Sequence, residues 1–331
     1  MNNMTPKVSI LTPIYNVEKL IERCAVSLFE QTYENIEYIF VNDCTKDNSI
    51  QVLESVLTRY PARQGCVRII NHEVNRGLAA ARNTAVANCS GDFIMHVDSD
   101  DYLEPNAVEL LLNRQLKTDA DIVSGLAMMH TPDDDTLLPN PHYGTKEEMV
   151  LDMMQLTINH SIWRRIIRKS LYDEYGVTAQ EGVNIGEDCW TMTQLAYYAS
   201  SFSFIDEVVY HYDCIRDDSY TGNKGAIKKS LKEVIATAYL IIDFFKDKEQ
   251  IYYDEANRVA IKYIALILKK AAQYGDSALY DEMLAKLRAF DKKYWSAIKW
   301  DKSYIRIVSQ NYNCLRTALS LSKKYHKFLS H

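Results

Sequence analysis

Within the stretch "GDFIMHVDSDDYLEP" (residues 91–105), positions 98–101 gather three carboxylates, Asp98, Asp100 and Asp101, with Ser99 among them. They follow the apolar run Phe93, Ile94, Met95 and Val97, which reads as a buried strand. Carboxylates about 4 Å apart repel by roughly 4 kcal/mol per pair at an effective dielectric of 20. A turn that only closes a strand gains nothing from that repulsion, whereas a bound divalent cation removes it. Magnesium and manganese take hard oxygen ligands, commonly one or two carboxylates together with the phosphates of a substrate. Asp98-Ser99-Asp100 at a strand end is therefore a candidate metal–diphosphate site. Alone, D-x-D occurs often by chance, and a single Asp after a strand more often forms a turn or caps a helix. A second acid pair, Glu187-Asp188 in "IGEDCW", precedes an apolar helical segment, where the helix dipole favours acids in any case.

The elements that must position these acids alternate between two periods. "VSILTPIY" (8–15), "IEYIFVND" (36–43), "VRIINH" (67–72), "DFIMHV" (92–97) and "ADIVSGLAMMH" (120–130) read as strands. Between them lies "VEKLIERCAVSLFEQ" (17–31), with Leu20, Ile21, Cys24 and Leu28 at helical spacing and Asn16 placed as an N-cap. "NSIQVLESVLTRY" (48–60) and the small-residue "GLAAARNTAVANC" (77–89) are further helices, and Pro105 suits the first turn of another running to about Leu116. This rhythm predicts an α/β fold, a mostly parallel sheet flanked by helices. Ligands of such sheets bind beyond the carboxyl ends of the strands, where "PIYN", "NDCTKD", "NHEVNRG" and "DSDD" fall. Residues 131–144 hold three of the seven prolines and read as a loop. Residues 146–200 read as helical with interruptions, "FSFIDEVVYHYD" (202–213) as two short strands, and the chain from Ala226 onward as helical. The expected division is residues 1–222 and a C-terminal helical extension, 223–331.

The 331 residues are 47% hydrophobic and 25% charged, an ordinary globular balance. A net charge of -6 argues against binding nucleic acid through its phosphates. No window approaches eighteen consecutive apolar residues, so no membrane span is expected. "MNNMTPKVSIL" lacks a basic segment followed by a long apolar one, so no secretory signal is expected. The seven cysteines are scattered and form no C-x-x-C pair, which fits reduced thiols in a cytoplasmic protein, with Cys189 in a packing role. Residues 296–331 carry seven Lys or Arg against Asp301 alone, interleaved with Ile305, Val308, Leu315 and Leu319. A basic amphipathic helix of this kind lies on an anionic membrane surface, packs on its own acidic domain, or makes a homodimer contact.

The motifs "VSILTPIYN", "IEYIFVNDCTKDNS", "NRGLAAARN" and "GDFIMHVDSDDYLEP", then "IGEDCW" and "VVYHYDCIRDDSYTG", occur in that order. The series resembles the family 2 glycosyltransferases, whose nucleotide-sugar-binding domain has the GT-A fold. The resemblance covers about residues 7–222, with the acceptor half at about 131–222, and none of the C-terminal helices. It implies that Pro13 lies against the nucleotide base and that Tyr15 covers the base, a core tyrosine being the alternative. Asp43 then accepts a hydrogen bond from a uracil N–H. Asn75 and Arg82 contact base and phosphate, the planar fork of Arg82 suiting phosphate oxygens. Asp98 holds the ribose hydroxyls, with Ser99 beside it, and Asp100 binds Mn2+ or Mg2+. Asp101 is either a partner behind these groups or a helix cap. Asp188 is the general base of an inverting transfer, with Glu187 and Trp190 facing the acceptor or holding the base. His211, Arg216 and Ser219 lie near the diphosphate. His211 is a further candidate metal ligand, against the ordinary reading of a packed histidine. Trp163 either stacks on an acceptor sugar or belongs to the core. The second motif commonly reads V-D-D-G-S-T-D. Here Cys44 replaces its Gly, the residue that relieves tight turns.

The implied reaction moves one sugar from a UDP-sugar to a hydroxyl of a glycan or lipid-linked glycan, in bacterial surface polysaccharide synthesis. Neither Q-x-x-R-W nor membrane spans are present in the sequence, which favours single additions over polymerisation. A nucleotidyltransferase would show a Gly-rich phosphate loop near the N-terminus, and "ILTPIYNVEK" has none. A non-catalytic sugar-nucleotide-binding or scaffold subunit would often have lost the metal acid or the base, and both Asp100 and Asp188 are intact.

Overall fold

In the computed structural model, residues 5–155, 157–214 and 224–298 are described, the side chains of 224–230 and 273 excepted. The chain divides into two compact units, Met1–Ala226 and Ile227–His331.

The first unit opens with β1 (Val8–Ile14), α1 (Ile21–Phe29), β2 (Ile36–Asn42), α2 (Ser49–Thr58), β3 (Val67–Asn71), α3 (Leu78–Asn88) and β4 (Phe93–His96). These four strands are parallel, in the order β3-β2-β1-β4. Every residue of β1 is buried. A strand with a neighbour on each edge and cover on both faces has no side for water, so it is mostly apolar and even its Ser9 and Thr12 are buried. Helix α1 buries Ile21, Cys24, Ala25, Leu28 and Phe29. The Phe29 ring meets Tyr38 edge-on, with centroids 5.2 Å apart. Helix α3 buries Ala79, Ala80, Ala81 and Ala85, whose small side chains let its backbone approach β1 and β2.

Helix α1 begins later than expected. Asn16 is not its cap but stands at φ 54, in the left-handed region, with its N–H donating to Thr45 Oγ1 at 2.8 Å. Asn tolerates that conformation better than most residues, so it forms the turn rather than the cap.

Beyond β4 come β5 (Tyr102–Leu103), α4 (Ala107–Thr118), β6 (Ile122–His130), β7 (Asp135–Leu138) and α5 (Lys146–Met153). Then follow β8 (Arg165–Arg168), α6 (Ser170–Tyr175), α7 (Glu187–Tyr198) and β9 (Phe202–Asp213). The sheet continues β4-β8-β6-β9-β5, with β7 beside β6. Only the β6–β9 pair is parallel here, so this half of the sheet is mixed. Strand β8 falls inside the span read as helical, and β7 inside the proline-rich loop. A four-residue strand is too short for its periodicity to show. Residues 202–213 form one strand rather than two. Between Phe204 and Val208 it advances four residues while β6 advances two, from Ser124 to Leu126. The bulge accommodates the acids Asp206 and Glu207 that make the sequence look broken. Opposite it, a Cβ on Gly125 would stand 2.5 Å from Val209 Cγ2, so only glycine fits.

Among the described residues, the α-helices of the second unit are α8 (Lys224–Phe245, entering from the first), α9 (Gln250–Tyr274) and α10 (Ser277–Ala289). Their core includes Ile261, Ile264, Leu268, Tyr280, Met283 and Leu287. Asp276 caps α10 by accepting the Leu279 N–H at 2.9 Å. No helix among the described residues is long and apolar enough to cross a membrane. The basic residues 299–331 lie outside the described residues.

Candidate active site

The carboxyl ends of β1, β2 and β4 meet the first turns of α3 and α7. Tyr15, 44% exposed just past β1, is not a core residue. Pro13 is buried within β1 opposite Val41. Asp43, directly after β2, is buried and organises the turn that leads into α3. Its Oδ1 accepts from His72 Nδ1 at 2.7 Å and from the Arg76 N–H at 2.8 Å, and its Oδ2 from the Gly77 N–H at 2.7 Å. A carboxylate has about four acceptor positions, so one remains for a ligand N–H. Asn75 stands exposed on the same turn. Gly77 sits at φ 90, and a Cβ there would lie 2.6 Å from Asn184 Oδ1.

Cys44 has φ 58, the left-handed conformation in which the common glycine of this motif would be relaxed. Holding a non-glycine residue there costs about 1–2 kcal/mol. The extra backbone freedom of glycine in the unfolded chain offsets about 0.5–1 kcal/mol of that. Cys44→Gly is therefore expected to raise stability by up to about 1 kcal/mol in urea denaturation; a loss would show that the Cys44 Sγ contact to the Glu73 carbonyl, 3.6 Å, outweighs the strain.

Arg82, on α3 and buried, is the centre of the site. Its guanidinium pairs with Asp98 at 2.8 Å, with Glu187 at 2.7 Å and with Asp188. The sequence expectation was a phosphate contact; here its terminal nitrogens face carboxylates, because α7 delivers two acids to the helix on which Arg82 stands. Gly186, at φ 88, starts α7 and places Glu187 and Asp188 in its first turn, where the dipole favours them. Burial works against the Arg82 charge, and Asp188, Asp98 and Glu187 more than offset it, so the guanidinium is held well above its usual range. Three carboxylates around one cation favour retention of a proton. Burial, then the neighbouring Asp188, pushes the Glu187 carboxyl up to about 8 against the pull of Arg82. Asp98 is also raised, first by burial. Asp188 Oδ2 accepts the Ile162 N–H at 3.3 Å.

The three acids of residues 98–101 do not act as one group. Asp101 is neither a helix cap nor turned to a ligand. It is buried and accepts from the Tyr210 hydroxyl at 2.6 Å and the Asp213 N–H at 2.8 Å, tying the turn to β9. Burial, then Asp100 and Asp98, raises its carboxyl well above the usual range. Asp98 faces Arg82. Asp100 keeps a partly exposed side chain, and its carbonyl accepts from Arg23 Nη2 at 2.8 Å. Ser99 is buried between them. Among the described residues no three His, Cys, Asp or Glu side chains converge as a metal cage. Arg23, which also bridges to Asp213 Oδ2 at 2.6 Å, and Tyr210 are site-supporting residues that sequence reasoning missed. The alternation of "VVYHYD" was the signal available for Tyr210.

His211 is held by side chains other than Asp98, Asp100 and Asp101. Its Nδ1 meets His130 Nε2 at 2.9 Å and its Nε2 meets Glu104 Oε1 at 2.8 Å, while its ring stacks on Tyr102 at 4.3 Å. Successive strand residues point to opposite faces, so Tyr210 at the acid turn places His211 on the other side. Trp163 is a core residue, stacked on Tyr210 at 4.6 Å and on Tyr212 at 5.2 Å. Trp190, partly exposed on α7, remains beside Glu187 and Asp188 in the chain. Cys189 is buried, as its packing role requires. Arg216 and Ser219 lie outside the described residues.

The family model described as Glycosyl transferase family 2 matches residues 9–176. An uncharacterized glycosyltransferase of Bacillus subtilis (strain 168), EpsJ, is 31% identical over 217 residues, covering 63% of this chain. The chain spans only 61% of that relative's length. The crystal structure of S. aureus TarS 1-349 in complex with UDP-GlcNAc superposes with a TM-score of 0.68 at 17% identity, over 96% of this chain and 92% of that one. A mannosyltransferase from Pyrobaculum calidifontis, PcManGT in complex with GDP-Man and Mn2+, superposes at 0.54 with 16% identity, over 96% and 87% of the two chains.

Proposed function

Since this chain belongs to glycosyl transferase family 2 and has the GT-A fold, we propose that it transfers one sugar at a time, with inversion, from a UDP-sugar to a hydroxyl of a glycan or lipid-linked glycan in bacterial surface polysaccharide synthesis. One observation carries the reading: a single buried guanidinium, that of Arg82, joins Asp98 at the end of β4 to Asp188 at the start of α7. The acid on the donor side and the candidate base thus share one site.

The base of the nucleotide lies among Pro13, Tyr15 and Asn75, and the remaining acceptor position of Asp43 takes a uracil N–H. Asp98 and Ser99 face the ribose. Asp100 would hold Mn2+ or Mg2+ together with the donor's diphosphate, since these ions commonly take one or two carboxylates alongside a substrate's phosphates. When bound, the ion neutralises charge on the departing diphosphate. Asp188 takes the proton from the acceptor hydroxyl. The freed oxygen bonds to the anomeric carbon as the bond to the diphosphate breaks on the opposite face, and UDP leaves with that electron pair. Burial and the neighbouring Asp188 favour the protonated form of Glu187, which suits Asp188 rather than Glu187 to the role of base. Arg216 and Ser219 complete the diphosphate contacts. The basic residues 299–331 bring the enzyme to an anionic membrane bearing the acceptor, or join two copies of it.

The uridine donor draws support from TarS, which was solved with UDP-GlcNAc, and the metal from PcManGT, which was solved with Mn2+. A thermal-shift screen of nucleotide diphospho-sugars with Mn2+ tests the binding half. UDP compounds are expected to raise the melting temperature, and Asp100→Asn to abolish the manganese-dependent part. UDP release from UDP-sugars, with candidate glycans present, tests the chemistry. Tight donor binding without turnover on any glycan would favour the scaffold reading.

A further inference from the structure

Two adjacent arginines of the acceptor half are buried without a hydrogen-bonded acid, although Asp188 and Asp152 act on Arg165 through their charge. Arg164 is fully enclosed and Arg165 is 1% exposed, and among the described residues neither forms an ion pair. Arg164 Nη1 donates to the carbonyls of Leu138 at 3.2 Å and Pro139 at 3.3 Å. Arg165 donates from Nε to Ser124 Oγ at 2.8 Å and from Nη2 to the Asn159 carbonyl at 2.5 Å. Nε and Nη2 of Arg164 and Nη1 of Arg165 have no hydrogen-bond partner. Ser161 Oγ and Asn140 Oδ1, on the flanking segments, are also unpartnered.

Such an arrangement is expensive. A buried ion with no hydrogen-bonded counter-ion costs several kcal/mol, and each orphaned donor adds about 1–3 kcal/mol. Arg164 is also held at φ 60, in the left-handed region. Burial lowers Arg164 to about 10, and burial followed by the charge of Arg164 lowers Arg165 to about 9, so both remain cationic at neutral pH. Two planar cations with unused N–H groups match the oxygens of a phosphate or carboxylate. The site also stands near the candidate chemistry. The Ile162 N–H donates to Asp188, and Arg165 lies three residues further, at most about 10 Å of chain away.

We propose that Arg164 and Arg165 form a recognition site for an oxyanion, a phosphate or a carboxylate, carried by the acceptor close to the hydroxyl that receives the sugar. The inference rests on the transferase reading above and assigns its acceptor to the anionic glycans. The wall over the two guanidiniums includes Leu138, Pro139 and Asn159, whose carbonyls accept from them.

The test is a melting curve of the whole chain with EDTA present, in rising inorganic phosphate, against sodium chloride at matched ionic strength. Phosphate at ten times its dissociation constant is expected to raise the melting temperature by about 3 °C or more beyond the chloride control. Arg164→Met and Arg165→Met are expected to lose that rise. Removing an unpaired buried charge does not itself unfold the chain, so their melting temperature without phosphate should be unchanged or higher. If the methionine variants do not fold, Arg165→Lys carries the test: it keeps the charge, loses the fork, and should weaken the phosphate response. Asp100→Asn should keep the phosphate response while losing the response to UDP with Mn2+, which separates failure here from failure of the donor assignment. A response to phosphate alone indicates a phosphorylated acceptor, and an equal response to glucuronate a uronate-bearing one. No rise beyond chloride with either anion, or a rise that survives in every arginine variant, overturns the proposal.

Discussion

Asp188→Asn is expected to lower sugar transfer by about 10²–10⁴-fold while leaving UDP–Mn2+ binding nearly unchanged, the range that removing a positioned general base produces. Asparagine keeps the shape of the side chain and can still accept the Ile162 N–H, but it cannot take a proton from the acceptor hydroxyl. Glu187→Gln is the informative companion. Because the Glu187 carboxyl is pushed up to about 8, it already holds a proton near neutral pH, and the neutral amide imitates that state. Its effect on turnover should be small beside that of Asp188→Asn. Turnover at saturating donor, with binding measured by calorimetry, separates the two. Intact transfer in Asp188→Asn, with a large loss in Glu187→Gln, would hand the role of base to the other acid.

Arg82→Met should be the most destabilising single change in the site. It leaves Asp98, Glu187 and Asp188 facing one another without their cation, and removing one partner of a buried ionic group costs about 3–5 kcal/mol. In a unit of this size that corresponds to a fall of roughly 10 °C in melting temperature. The loss should depend on pH. In the wild type the Glu187 carboxyl titrates near 8 when folded and near its ordinary 4.5 when unfolded. Between those values the folded chain holds a proton that the unfolded chain has released. The contribution of this group to stability is therefore fully present below about 4.5 and declines as the pH rises through about 8. Without Arg82 the carboxylates hold their protons more tightly still, so the variant should fall further behind the wild type at pH 8 than at pH 5. Urea denaturation at the two pH values checks this. An equal deficit at both would mean that Arg82 acts through packing and not through charge.

Much of the parallel half of the sheet is legible in the chain itself. Strands such as β1 and β2 are buried along nearly their whole length and read as mostly apolar runs, while α1 and α2 show the spacing of a helix with one buried face. Cys44 was visible as a departure from the usual glycine, but its left-handed conformation came only from the structure. The second half was less legible. Strand β8 is four residues long, β5 is two, and the bulge in β9 places two acids inside a continuous strand. Their pairing comes from neighbours distant in the chain, which periodicity within a short window does not report.

The same division holds for the site. The order of the motifs, their position at strand ends and the presence of Asp98, Asp100 and Asp188 were set by residue type and local period, which depend on near neighbours. What each acid touches was decided by the tertiary structure alone. Arg82 meets Asp188 across 106 positions, and Tyr210 meets Asp101 across 109. Those contacts make Arg82 the hub of a carboxylate cluster and withdraw Asp101 from solvent. A side chain's charge is written in the sequence; its partner depends on which distant element folding brings within about 3 Å, since only at that range does a hydrogen-bonded ion pair form.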